Sequence, residues 1–260
     1  MTAIISASER FGFLVLAAMT LPLFGCSSEP SPSGPTASPE AAQAVTKPTP
    51  KQSVAAAVVP WSEQTLADGE FTLEEGFRAL TLADFEPFFA KPPQSVQTTW
   101  LAVNDAIVCF GKPRGYLFSK EKFTDFTLRL ELRFAPSATE NSEKAFNPNT
   151  GVMLHINEPH KQWPKSLEVQ GRFADLATIK ENGGAAKVAI VDDAAARESA
   201  RKPVGEWNSL EVISKGGTVT SLLNGTKICE SQPSDVTSGM IGLQSEDFEV
   251  HFRRLRIRPE

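Results

Sequence analysis

The chain of 260 residues is 41% hydrophobic and 22% charged, with 26 Lys and Arg against 31 Asp and Glu. A net charge of −5 without a basic block removes the long-range attraction that holds proteins on a polyphosphate, which argues against nucleic acid as a partner. The 17 Phe and 4 Trp supply the apolar volume of one sizeable core and exclude wholesale disorder.

In chain order, the first element is the uncharged run Phe11–Gly25. As a helix it rises only about 22 Å, short of the roughly 30 Å of a bilayer core, so residues 1–25 read as a signal peptide rather than a span. Leu23-Phe24-Gly25-Cys26 resembles a bacterial lipobox, with Cys26 as the lipidated new N-terminus and Ser27 and Ser28 resembling the outer-membrane-sorted form. The expectation is an exported lipoprotein of the periplasm or outer membrane that touches the membrane only through Cys26; soluble export is the alternative. Residues 26–60 carry seven prolines (30, 32, 35, 39, 48, 50, 60) and no aromatic residue, the composition of a tether that cannot bury a core. Residues 61–260 form the remaining domain. Residues 1–60 hold three basic and three acidic groups, so the whole net charge sits on that domain.

Within the domain the periodicity is almost entirely two. Phe126–Phe134 alternates apolar and polar over nine residues, the pattern of a strand with one face on a core. Further strand-like runs are Thr99–Val103, Ile107–Phe110, Tyr116–Ser119, Gly151–Ile156, Ser166–Gln170, Lys187–Val191, Ser209–Ser214, Thr218–Leu223, Thr226–Glu230, Met240–Gln244 and Phe248–Ile257. Lys215-Gly216-Gly217 and Asn224-Gly225 stand between alternating runs as hairpin turns require. Core parity slips between Phe252 and Leu255, which predicts a bulge there. Helix is confined to candidates at Phe77–Leu82 and Ala194–Ala200. The expected fold is all-β, two antiparallel sheets packed as a sandwich with little helix. Cys109 and Cys229 lie in short apolar runs, where a buried thiol and a disulfide both remain open. Without a Cys-x-x-Cys or a His pair at ligand spacing, no structural zinc site and no cofactor are expected, while dependence on a metal stays open.

Strand parity also sorts residues by face. Leu128, Leu130 and Leu132, Val152, Leu154 and Ile156, Leu167 and Val169, and Ile241 and Leu243 take the core. Opposite them stand Arg129, Glu131 and Arg133, Met153 and His155, Glu168 and Gln170, and Gln244 and Glu246, groups able to bind hydroxyls or move protons. The parity reading places Glu131, Arg133, His155, Glu168, Gln170, Gln244 and Glu246 on one face of one sheet, with Trp163 at its rim.

Trp163-Pro-Lys-Ser-Leu-Glu-Val-Gln-Gly171, Gly205-Glu-Trp-Asn208, Leu223-Asn-Gly225, Ile241-Gly-Leu-Gln-Ser-Glu246 and Val250-His-Phe-Arg-Arg-Leu-Arg-Ile257 resemble the 3-keto-disaccharide hydrolase domain family. Gly111–Leu117 and Asp125–Arg133 fit its N-terminal half, and the resemblance covers roughly residues 71–259. It implies a concanavalin-like jelly-roll and a glycosidic substrate. A ketone at C3 of a sugar acidifies the hydrogen on C2, so the C1 substituent can leave by elimination, followed by hydration; such a route needs a base, an acid and an enolate donor. The expected catalytic residues are Glu168 as base or acid, His155 as second proton carrier and Arg133 at the developing oxyanion. Substrate binding is expected from Glu131, Trp163, Gln170, Gln244 and Glu246. A lectin-like carbohydrate-binding domain is the alternative on the same fold, and a purely structural surface protein is a third reading.

Overall fold

The computed structural model describes residues 71–93, 95–136 and 146–260. The expected signal peptide, lipidation at Cys26 and tether lie outside the described residues. Strands β1 (Arg78–Ala79), β2 (Phe85–Phe89), β3 (Trp100–Val103), β4 (Ala106–Cys109), β5 (Gly115–Ser119), β6 (Phe126–Phe134), β7 (Gly151–Ile156) and β8 (Ser166–Gln170) come first along the chain. They are followed by β9 (Ile179–Asn182), β10 (Ile190–Asp192), helix α1 (Ala194–Ala200), β11 (Asn208–Lys215), β12 (Thr218–Leu223), β13 (Thr226–Ser231), β14 (Met240–Ser245) and β15 (Val250–Pro259). Antiparallel pairing builds a nine-stranded sheet in the order β10-β13-β12-β11-β6-β15-β4-β3, with β1 added to β15, and a six-stranded sheet in the order β2-β5-β14-β7-β8-β9. The architecture is a jelly-roll-like sandwich. Among the described residues, no helix is long and apolar enough to cross a membrane.

The alternation read from the sequence explains the core. Leu128, Leu130 and Leu132 of β6, Leu210 and Val212 of β11 and Phe252 of β15 meet Val152, Leu154, Leu167, Val169, Ile241 and Leu243 of the small sheet. Each hairpin turn has the backbone its residues favour: Gly216 and Gly217 join β11 to β12 at φ 58 and 84, and Asn224 and Gly225 join β12 to β13 at φ 48 and 83. The bulge also stands where parity slips. The β15–β6 register shifts between Arg253 and Arg256, and Arg254 takes φ 52. Before the bulge β15 pairs with β4, and after it with β1.

Residues 77–81 are not helical, and only Leu82 enters a short 3-10 turn, Leu82–Asp84. Arg78 and Ala79 pair with Ile257 and Arg256, and Leu80 N–H donates to the Leu255 carbonyl at 2.8 Å. The free edge of β15 beyond the bulge supplies a ladder that outweighs the local helical pattern. The helix at 194–200 forms as expected, capped by the Asp193 carboxylate, which accepts from Ala196 N–H at 2.8 Å. Cys109 and Cys229 are both buried free thiols, so the open choice resolves against a bridge. They stand on β4 and β13 of the large sheet, with β12, β11, β6 and β15 between them.

Candidate functional site

The outer face of the small sheet, turned away from the core, gathers polar groups in rows fixed by register. Across the strands, Phe118 stands opposite Gly242, Gly242 opposite Met153, Met153 opposite Glu168 and Glu168 opposite Lys180. In the next row Tyr116 stands opposite Gln244, and Gly151 opposite Gln170. Gly151 has to be glycine here, because a Cβ at this position would run into the side chains of Gln244 and Glu168. Its absence lets the Gln244 amide lie against the Glu168 carboxylate.

Glu168 is only 3% exposed. Its carboxylate accepts from Asn182 Nδ2 at 3.1 Å and faces Lys180 Nζ at 3.4 Å. Burial raises its pKa, opposed by Lys180 and by the Gln244 amide. Glu246, just beyond β14, accepts from Asn149 Nδ2 at 2.6 Å. Its pKa is pushed up to about 6, by burial first and then by the negative charge of Glu168. The two carboxylates are thus electrostatically coupled and share a neighbourhood with Lys180 and Arg172. Gln170 belongs to the same face, and its Oε1 accepts from Arg172 N–H at 2.8 Å. The amide oxygens Gln244 Oε1 and Asn149 Oδ1 are buried without a hydrogen-bond partner. Two acceptors left over beside a carboxylate pair suit the hydroxyl-rich edge of a sugar.

One end of this face is aromatic. Phe88 and Phe118 pack against an outer cluster of Tyr116, Met153, Ile156 and Met240, separate from the main core. His160 enters it from the loop between β7 and β8, stacking on Phe118 at 4.1 Å and meeting the Tyr116 hydroxyl through Nδ1 at 3.0 Å. Trp163, in the same loop, is half-buried, and the Trp163-Pro164 backbone packs against the turn at Gly183.

The structure therefore brings together Glu168, Gln170, Gln244 and Glu246 of the expected set and places His155, Arg133 and Glu131 elsewhere. His155 follows the parity of β7 only until its own φ of 58 turns the chain over. The side chain then points between the sheets, where Nδ1–H donates to the Phe123 carbonyl (3.2 Å), Nε2 meets Ser214 Oγ (2.9 Å) and the ring packs edge-on to Phe126. Burial lowers its pKa, and the neutral ring suits that place. Ile156, expected in the core, moves to the outer cluster in exchange.

Arg133 and Glu131 stand on β6, in the other sheet, and face away from the core on its far side. There Arg133 and Arg253 both stack on the Trp207 ring, at 4.3 and 4.0 Å, and Glu131 accepts from Arg253 Nε at 2.7 Å and Arg254 Nη1 at 3.0 Å. Strand parity assigns a residue to a face of its own sheet; it carries no information on which sheet the strand joins. Lys180, Asn182, Tyr116 and His160 escaped the sequence reading. The four-residue strand β9 is too short to show a period, and His160 sits in an irregular loop. The alternation of Tyr116 with Phe118 was the one signal for an aromatic outer face.

A groove of about 320 Å³ opens at the β2 and β3 edges, lined by Phe85, Pro87, Trp100 and Leu117 among others, without an ionisable group. The ionisable groups gather on the carboxylate face instead. No group of three or more His, Cys, Asp or Glu able to hold a metal occurs among the described residues.

The sequence profile of the 3-keto-alpha-glucoside-1,2-lyase-like domain matches residues 64–258. In three dimensions the chain resembles two candidate glycosyl hydrolases of Parabacteroides distasonis ATCC 8503, each at 18% identity and a TM-score of 0.50. The likeness covers 71% of this chain and 99% of the first, and 73% of this chain and 98% of the second. The carbohydrate-binding module CBM66 of Bacillus subtilis is similar at 15% identity and a TM-score of 0.47, over 62% of this chain and 91% of the module. No curated protein matches the sequence.

Proposed function

We propose that this chain, which belongs to the 3-keto-alpha-glucoside-1,2-lyase-like domain family, cleaves the glycosidic bond of a 3-keto glycoside by elimination and hydration. The observation that carries this reading is the coupled pair Glu168 and Glu246, both held above the ordinary carboxylate range on one sheet face. A carboxylate base strengthened by burial is matched to abstracting a proton made acidic by a neighbouring ketone. Lys180 and Asn182 favour the ionised form of Glu168, which takes the proton from C2. Glu246 carries the other proton and gives it to the departing oxygen as the C1–O bond breaks. The electron pair of the C2–H bond becomes the C1–C2 double bond. For hydration, Glu246 takes a proton from water as oxygen adds to C1, and Glu168 returns its proton to C2, so both groups end as they began. The Lys180 ammonium supplies positive charge near the enolate.

The decisive experiment incubates the protein with matched 3-keto and unoxidised disaccharides. Consumption of the 3-keto sugar alone, lost in Glu168→Gln, is expected; cleavage of neither sugar overturns the reading. Saturable sugar binding without turnover would favour the lectin-like alternative, for which the unpaired amide oxygens of Gln244 and Asn149 speak. We further propose that the protein is exported and lipidated at Cys26, to be checked by the mass of the mature chain; an intact Met1 would overturn this.

A further inference from the structure

The polar and aromatic ends of the small sheet's outer face are too far apart to serve one sugar ring. With strands about 4.8 Å apart, Phe118 lies three strands and roughly 14 Å from Glu168 along its row. Between them the floor is apolar. Gly242 contributes no side chain, and a Cβ there would press on the terminal methyl of Met153. Phe88, Phe118 and His160 are half-buried rather than sealed, so the aromatic end presents a surface. That surface is also held in place. The imidazole of His160 stacks on Phe118 at 4.1 Å and lies 6.0 Å from Phe88, and the loop carrying it is tied by Lys161 Nζ to the Gly183 carbonyl at 2.9 Å.

The Tyr116 hydroxyl, pushed up to about 12 by burial, stays protonated and stands 3.0 Å from His160 Nδ1. In the tautomer in which the hydroxyl donates to Nδ1, Nε2 carries the ring proton and is the donor left for a ligand hydroxyl.

Resting on the reading of Glu168 and Glu246 above, we infer that the corner formed by His160, Tyr116 and Phe118 is the subsite for the departing half of the substrate, a second pyranose ring stacked on the His160 imidazole. Rings with an apolar face and a hydroxyl edge fit a flat aromatic platform that offers one fixed donor. The polar end holds the ring that reacts. His160 on this account sets specificity for what leaves and takes no part in moving the C2 proton.

Two measurements test it. In Glu168→Gln protein, which holds substrate without turning it over, calorimetry compares a 3-keto disaccharide with methyl 3-keto-glucoside. The disaccharide is expected to bind about tenfold more tightly, and adding His160→Ala is expected to erase most of that difference while His160→Phe, which keeps the stacking but lacks the Nε2 donor, retains part of it. In otherwise unaltered protein the ratio of kcat/KM for the disaccharide over the methyl glycoside should fall about tenfold in His160→Ala and recover in part in His160→Phe. An unchanged ratio, equal binding of the one-ring and two-ring ligands, or no binding of either overturns the subsite. The two readings fail separately. Without turnover in the unaltered protein the proposed reaction falls, yet a two-ring preference lost in His160→Ala would still support the subsite. With turnover and an unchanged ratio, only the subsite falls.

Discussion

Both sheets of this sandwich turn carboxylates outward, and they treat them in opposite ways. Around β6 and β15 of the large sheet the carboxylates are held by arginines. Glu131 is held by Arg253 and Arg254, Glu211 pairs with Arg129, and Glu74 accepts from Arg256 at 2.5 and 2.6 Å. The Arg256 hydrogen bonds hold the Glu74 pKa down to about 2. On the small sheet Glu168 and Glu246 are pushed upward by burial and, for Glu246, by each other's charge, with a lysine at 3.4 Å and amides in place of guanidinium forks. Identical residue types thus build a clamp on one side and a pair with raised pKa on the other. The second arrangement raises Glu246 to about 6, where its protonation changes close to neutral pH, a property that suits a proton-transfer site.

The sharpest way to break this contrast is to neutralise one carboxylate on each face. Glu168→Gln should lower kcat/KM for a 3-keto disaccharide by about 10²- to 10⁴-fold, the usual contribution of a positioned acid or base. Glu131→Gln should leave kcat/KM within about twofold and cost roughly 1 to 2 kcal/mol in denaturant unfolding, because its arginines lose a charged partner at a partly exposed site. If Glu131→Gln abolished turnover with its stability intact, the division of labour between the faces would be wrong.

The pH dependence sharpens the same point. The reaction needs Glu168 ionised and Glu246 protonated, so kcat/KM should fall as pH rises above about 6, the value to which Glu246 is raised. Lys180 lowers the pKa of both carboxylates, so Lys180→Met should move that limb upward. A limb that stays in place would mean that other groups set it.

Stability should respond with opposite signs on the two faces. A carboxylate whose folded pKa is raised from 4.5 to about 6 opposes folding once pH exceeds 4.5, and fully above 6. Glu246→Gln should therefore raise the melting temperature at pH 7 by about 2 to 4 °C, for roughly 1 kcal/mol, and change it little at pH 4. Glu74, lowered to about 2, contributes stability that is present above 4.5 and lost as pH falls toward 2. Calorimetry at both pH values reads the two effects, and a lower melting temperature for Glu246→Gln at pH 7 would contradict the cost assigned to the pair.

Much of this fold was legible because its signals are local. Leu128, Leu130 and Leu132 alternate over nine residues and point inward, Asn224-Gly225 turns where it must, and the parity slip after Phe252 is a bulge. The short strands β1, β2 and β9 were not legible, since two to five residues carry too little pattern and their pairing is decided by the edges of β15, β5 and β8. The site was half legible for the same reason. Glu168, Gln170 and Gln244 follow from alternation within their strands, whereas the company they keep depends on which strands share a sheet, a long-range outcome. Glu131 and Arg133 obey the same alternation and finish on the opposite side of the molecule.

His155 provides the finest test of how far local pattern can be pushed. Its place in the alternation gives it to the reactive face, while its φ of 58 delivers it between the sheets. Positive φ is tolerated best by Gly and Asn among the alternatives, so His155→Asn removes the imidazole without adding backbone strain. The variant should keep kcat/KM within about twofold and lose about 1 kcal/mol or less at pH 7, from the hydrogen bonds to Phe123 and Ser214. Its pH dependence should separate it from a surface histidine. Burial lowers the folded-state pKa of His155, so below about 6.5 the unfolded chain takes up a proton that the folded one refuses, and the imidazole costs stability as pH falls. Asn lacks that cost, so the gap between variant and parent in urea midpoints should narrow at pH 5. A hundredfold loss of kcat/KM in a fully folded His155→Asn protein would return the residue to the reaction and refute its placement between the sheets.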